Sequence, residues 1–166
     1  MGMRKALVAF GLVMGTAAAA NAGSAQSNLS VSANVTSTCT INAGSLSFGS
    51  YDPVAGTQVD GSATVSVACT KGASAQITLG QGTHAAGGST DAVPNRRMAD
   101  GSNNLQYSLF SDASRSVTWA NTAGTSVGYA STTSAASSLT VYGRIAAGQD
   151  VPAGSYTDTV VATVSF

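Results

Sequence analysis

Short runs in which apolar and polar residues alternate one for one recur along this chain, and a period of two is what a half-buried β-strand imposes. Leu29, Val31, Ala33 and Val35 alternate with Ser30, Ser32 and Asn34. Cys39 and Ile41 follow, then Leu46 and Phe48 ahead of a Tyr51-Asp52-Pro53 turn. Ala63, Val65, Val67 and Cys69 form another row, and so do Ala75, Ile77 and Leu79; Leu105, Tyr107 and Leu109; and Leu139, Val141, Gly143 and Ile145. The last row is Tyr156, Asp158, Val160, Ala162, Val164 and Phe166, with Thr157, Thr159, Val161, Thr163 and Ser165 on the other face. Runs of this kind, separated by Gly, Asn, Asp and Pro, predict an all-β antiparallel sandwich. The closing row is expected to lie inside a sheet. Two Gly/Ser/Thr/Ala-rich stretches, 81–104 and 120–137, break the pattern and are expected to be long loops, each with room for an extra strand.

Residues 1–22 read differently. Arg4 and Lys5, an apolar run over 6–14 and the small residues of Ala20-Asn21-Ala22 have the order of a cleaved secretory leader. Cleavage after Ala25 is a second option, since Gly23-Ser24-Ala25 is also small at the needed positions. The apolar run is too short to span a bilayer and no later one is longer, so direct membrane insertion is not expected. What remains suits one domain with a core of its own. Without Arg4 and Lys5, five Lys and Arg face seven Asp and no Glu, which argues against nucleic acid or an anionic membrane as partner.

Export puts the two cysteines, Cys39 and Cys69, in an oxidising compartment, where a disulfide is the plain reading. Closing a loop of about 30 residues stabilises by about 3 to 4 kcal/mol in the chain-entropy model. The alternative, a metal site, lacks further Cys or His at ligand spacing.

The inventory for catalysis is poor, and no enzyme and no cofactor are expected. Gly80-x-Gly82-x-x-Ala85 resembles half of a dinucleotide fingerprint, but Ala86-Gly87-Gly88-Ser89 and Pro94 follow where a helix would have to start. The single histidine, His84, sits in that loop with no carboxylate near it in sequence and reads as a solvated loop residue. Three of the Asp fall at turn-forming pairs, Asp52-Pro53, Asp60-Gly61 and Asp100-Gly101. Trp119 and the tyrosines Tyr51, Tyr107, Tyr129, Tyr142 and Tyr156 could form a sugar-stacking platform; core or edge packing is the simpler reading.

The block Val141-Tyr142-Gly143-Arg144-Ile145-Ala146-Ala147-Gly148-Gln149, with Val151, Ala153-Gly154, Tyr156, Asp158 and the closing Thr163-Val164-Ser165-Phe166, resembles the spore coat protein U domain family. That family includes the shaft subunits of archaic chaperone-usher pili. Phe48-Gly49-x-Tyr51-Asp52-Pro53, the Val67-Ala68-Cys69-Thr70-Lys71-Gly72 segment, Arg97-Met98 and Leu105-Gln106-Tyr107-Ser108-Leu109 support the resemblance. It implies an incomplete immunoglobulin-like sandwich, completed by a strand donated from the next molecule. On that reading residues 23–38 are a donor arm presenting Leu29, Val31, Ala33 and Val35. Residues 39–166 are the pilin domain, whose C-terminal row Tyr156, Val160, Ala162, Val164 and Phe166 lines the acceptor groove. The partners implied are identical or related pilin subunits, a periplasmic chaperone and an outer-membrane usher. The place implied is the cell surface, and the role adhesion and biofilm formation. The rival readings are a coat protein that forms no fibre and a secreted sugar-binding module.

Overall fold

The computed structural model describes residues 22–166, so the leader read at 1–22 lies outside the described residues except for Ala22. The chain divides after Asn34. In the first unit, residues 22–34 carry neither strand nor helix and every one is exposed. The second unit, Val35–Phe166, is all strand and loop, with no helix among the described residues.

Its strands are β1 (Cys39–Ala43), β2 (Val59–Cys69), β3 (Ser74–Leu79), β4 (Arg96–Asp100), β5 (Asn103–Phe110), β6 (Val127–Ala130), β7 (Ser137–Ile145) and β8 (Ala162–Ser165). They form a five-stranded sheet of order β1-β2-β7-β5-β4 and a three-stranded sheet of order β6-β3-β8. Every pairing is antiparallel. Period two does the sorting: Val65, Val67 and Cys69 of β2, Ala75, Ile77 and Leu79 of β3, Leu105, Tyr107 and Leu109 of β5, and Val141 and Ile145 of β7 are buried. Cys39 and Cys69 stand directly opposite in the β1–β2 ladder and are joined by a disulfide.

Trp119 and Arg96 tie the two sheets together from loops and edges. Trp119 takes a backbone bond from the five-stranded sheet, its N–H donating to the Leu109 carbonyl at 3.0 Å. Its buried indole N–H donates to the Ile77 carbonyl of β3 at 2.9 Å. A side chain 1% exposed cannot stack on a sugar, so Trp119 is core. Arg96, equally buried, donates to the carbonyls of Gly80 (2.8 Å), Leu79 (2.9 Å) and Trp119 (2.9 Å). Burial pushes its guanidinium down to about 10, which leaves it charged at neutral pH.

Two glycines that interrupt apolar rows are explained by what lies on them. Gly61 of β2 is paired with Gly143 of β7. Together they leave a flat place on the inner face of the sheet, onto which Leu46 and Phe48 are laid. A Cβ at Gly143 would stand 2.7 Å from Cζ of Phe48 and 2.9 Å from Cδ1 of Leu46.

Three expectations need correction. Asp60-Gly61 is no turn but lies within β2, because Asp60 faces Arg144 across the ladder and takes both its Nε–H and Nη–H bonds, at 2.7 and 2.9 Å. The hydrogen bond from Arg144 holds the Asp60 carboxyl below its usual range. The closing row does not lie inside a sheet: β8 pairs only with β3 and forms an edge, because among the described residues no strand takes the place beyond it. Nor is the row one ladder from Tyr156 onward, since Thr157 bridges Ala99 of β4 before β8 joins β3. The two long loops do each carry an extra strand, β4 and β6.

Candidate functional site

Beside the free edge of β8 the domain is hollow. A cavity of about 410 Å³ lies between residues 43–48 on one side and 156–162 on the other. Its floor is core: Val65, Leu79, Leu109 and Val141. A second hollow, of about 480 Å³, shares Leu46, Phe48, Met98 and Tyr156 with the first and runs on toward Tyr51 and Val151. At the other end β1 comes close to β8.

One wall is Leu46 and Phe48, held by the glycine pair and by an edge-to-face contact of Phe48 with Tyr107 at 6.0 Å between ring centres. The segment carrying them is anchored where the Gly44 N–H donates to the Thr64 carbonyl at 2.8 Å. The other wall is the C-terminal segment. Tyr156, Val160 and Ala162 line the groove. Val164 packs on the core without lining it, and Phe166 is 60% exposed. Burial raises the Tyr156 hydroxyl above its usual range, with the nearby Asp100 carboxylate adding to it.

Asp158 is the one charged side chain in the lining. Its carboxylate, 2% exposed, accepts the backbone N–H of His84 at 3.1 Å, meets His84 Nδ1 at 3.1 Å and accepts the Tyr107 hydroxyl at 2.6 Å. Burial, reinforced by that last bond, lifts the Tyr107 hydroxyl far above the ordinary tyrosine range. His84 therefore has a carboxylate partner, contrary to the expectation from sequence, where the two lie 74 residues apart. Gly82, at φ +90°, leaves room for that carboxylate, and a Cβ there would collide with its Oδ2. The Gly80-x-Gly82 loop thus cradles an anion, but the anion is the chain's own Asp158. Asp158 and Arg96 were invisible as partners in the sequence; the turn-rich Gly80–Gly82 motif was their only trace.

Leu29 is 87%, Val31 85% and Val35 81% exposed, and Ala33 is exposed with them. They alternate but belong to no strand.

A family model of the Spore Coat Protein U domain matches residues 25–163. Protein U of Myxococcus xanthus is 42% identical over 158 residues, covering 89% of this chain and 88% of that protein. The chain belongs to the Spore Coat Protein U domain family. The fold is also found in a crystal structure of the CsuC–CsuE chaperone–tip adhesion subunit pre-assembly complex from archaic chaperone-usher Csu pili of Acinetobacter baumannii. The likeness has a TM-score of 0.54 at 19% identity and covers 80% of this chain. The chain spans 40% of the length of that neighbour.

For a family member of this shape, what stands out is a hollow with a core floor beside an unpaired sheet edge. An apolar trough beside an unpaired sheet edge accepts an extended segment whose alternate side chains fill the trough while its backbone extends the ladder.

Proposed function

We propose that this Spore Coat Protein U domain chain is a structural subunit of a pilus-type surface fibre, each copy closing its groove with the 23–38 arm of the next. The observation that carries the reading is the apolar groove along the free edge of β8. It gains support from the arm, whose Leu29, Val31, Ala33 and Val35 have the alternation a ladder needs and stand exposed in the single chain. Burying each larger side chain in the groove is worth about 1.5 to 3 kcal/mol, and each added ladder hydrogen bond about 0.5 to 1.5 kcal/mol. The groove side would be supplied by Tyr156, Val160 and Ala162, with Val164 and Phe166 extending the edge.

A groove of this kind is a template for aggregation while it stands empty. The reading therefore includes a periplasmic chaperone that covers it after export and an outer-membrane usher at which the arm replaces the chaperone. Such a fibre would serve adhesion and biofilm formation, and the subunit is structural, not catalytic. The family description favours a second reading, a coat protein assembled without fibres; electron microscopy of the exported material separates the two. For the strand-exchange reading, deletion of residues 23–38 from the exported chain is expected to abolish multimers and leave a chaperone-bound subunit. Multimers that persist after the deletion would refute it.

A further inference from the structure

The C-terminal segment changes sheets within a few residues, and one carboxylate sits at the crossing. Thr157 exchanges both backbone bonds with Ala99 of β4, at 2.8 and 3.0 Å, on the five-stranded sheet. Two residues on, the Thr159 carbonyl accepts the Thr83 N–H at 3.0 Å and its hydroxyl at 3.1 Å. The Val161 carbonyl then accepts the Gly80 N–H at 2.9 Å, and β8 continues along β3 on the other sheet. Asp158 stands between the two attachments. Its Oδ1 is held by His84, from the loop after β3, and its Oδ2 by Tyr107, from β5. One side chain therefore ties β5 of the five-stranded sheet to the loop that follows β3, at the point where the chain passes between the sheets.

That arrangement is costly to build. A carboxylate taken out of water needs its lone pairs filled, Gly82 is tied to a conformation that side chains rarely adopt, and no larger residue fits there. The location says what the cost secures, since residues 156–162 are one wall of the groove. We propose that Asp158 is the positioning residue of the acceptor groove, fixing the rim formed by residues 157–161 before a second copy's strand pairs with it. This rests on the strand-accepting reading of the groove. A rim set in advance spares the incoming strand the ordering of its partner.

The test compares wild type, Asp158→Asn and Asp158→Ala as full exported chains, by amide hydrogen exchange and by the heat needed to dissociate multimers on a detergent gel. With Asp158→Ala, the amides of Gly80, Thr83, Ala99 and Thr157 are expected to exchange at least tenfold faster, while Val67 and Val141 in the core ladders stay within twofold. Multimers are expected to part at a lower temperature. Asp158→Asn, which keeps one acceptor oxygen for His84, should fall between. Should Asp158→Ala not accumulate, Tyr107→Phe removes a single donor and keeps its buried ring, and should free the same four amides about threefold. Unchanged rim amides in these variants, or core amides freed equally, would overturn the proposal. A wild type that is monomeric on the gel would sink the strand-accepting reading instead, and selective loss of rim protection in that monomer would still uphold the pinning by Asp158.

Discussion

Gly143→Ala adds one methyl group at the place where the groove wall rests on the sheet. The new Cβ would lie 2.7 and 2.8 Å from two ring carbons of Phe48 and 2.9 Å from Cδ1 of Leu46, where carbon atoms settle at about 3.5 to 4.0 Å. Both side chains must back away by roughly 1 Å, and Phe48 cannot do so without loosening its edge-to-face contact with Tyr107. Overpacking of this sort costs about 1 to 3 kcal/mol, and a disturbed aromatic pair up to about 1 kcal/mol more. Removing a glycine from the unfolded chain returns about 0.4 to 1 kcal/mol. The net loss is about 1 to 3 kcal/mol, or a fall in melting temperature of roughly 4 to 10 °C. Gly61→Ala, whose Cβ would meet the Ser47 carbonyl at 3.0 Å and the same two side chains at 3.1 and 3.2 Å, should lose less. Gly87→Ala, with nothing within 4 Å of the new Cβ, is the control and should show only that gain of about 0.4 to 1 kcal/mol. Thermal melts by circular dichroism on the three variants decide the matter, and a Gly143→Ala melt no lower than that of Gly87→Ala would refute the reasoning.

Three further outcomes follow from the core. Replacing Cys39 and Cys69 together with alanine should lower stability by about 3 to 4 kcal/mol, read as a lower denaturant midpoint that reductant no longer shifts; an unchanged midpoint speaks against it. Arg96→Leu strands the carbonyls of Leu79, Gly80 and Trp119, at about 1 to 3 kcal/mol each. Secreted yield should collapse, and Arg96→Lys should not restore it because an ammonium lacks the guanidinium fork; wild-type yield from Arg96→Leu would contradict this. Tyr107 is neutral in the folded state beyond the ordinary value of 10.0, so its contribution is complete below that pH and is lost as pH rises above it. The stability of wild type minus that of Tyr107→Phe should thus fall above pH 10 by up to about 1.4 kcal/mol per unit; a flat difference in alkaline denaturant titrations would argue otherwise.

The strands β2, β3, β5 and β7 were legible because each has one buried and one open face, and their alternation is a direct image of that. β4 and β6 were not, because β4 buries an arginine instead of an apolar residue and β6 has both faces partly open in a Gly/Ser-rich stretch. The row from Tyr156 to Phe166 keeps its period of two through a change of sheet, so alternation alone overstates β8, which spans only Ala162–Ser165. Asp60-Gly61 looks like a turn from composition, yet Arg144 and Gly143 stand opposite the pair and draw it into a ladder. Partners 74 residues apart, such as His84 and Asp158, leave no local signature. The groove was foreseeable only through the family resemblance, since an uncovered strip of core is an absence of packing and no residue pattern announces it.

The most direct measurement is a detergent gel, unboiled and boiled, of the exported chain beside a Leu29→Asp/Val31→Asp variant that puts charge on the proposed donor arm. Strand exchange predicts a ladder of multimers in the wild type that collapses on boiling and is missing from the variant. A ladder that survives the two charges, or a stable monomer in both samples, would contradict it.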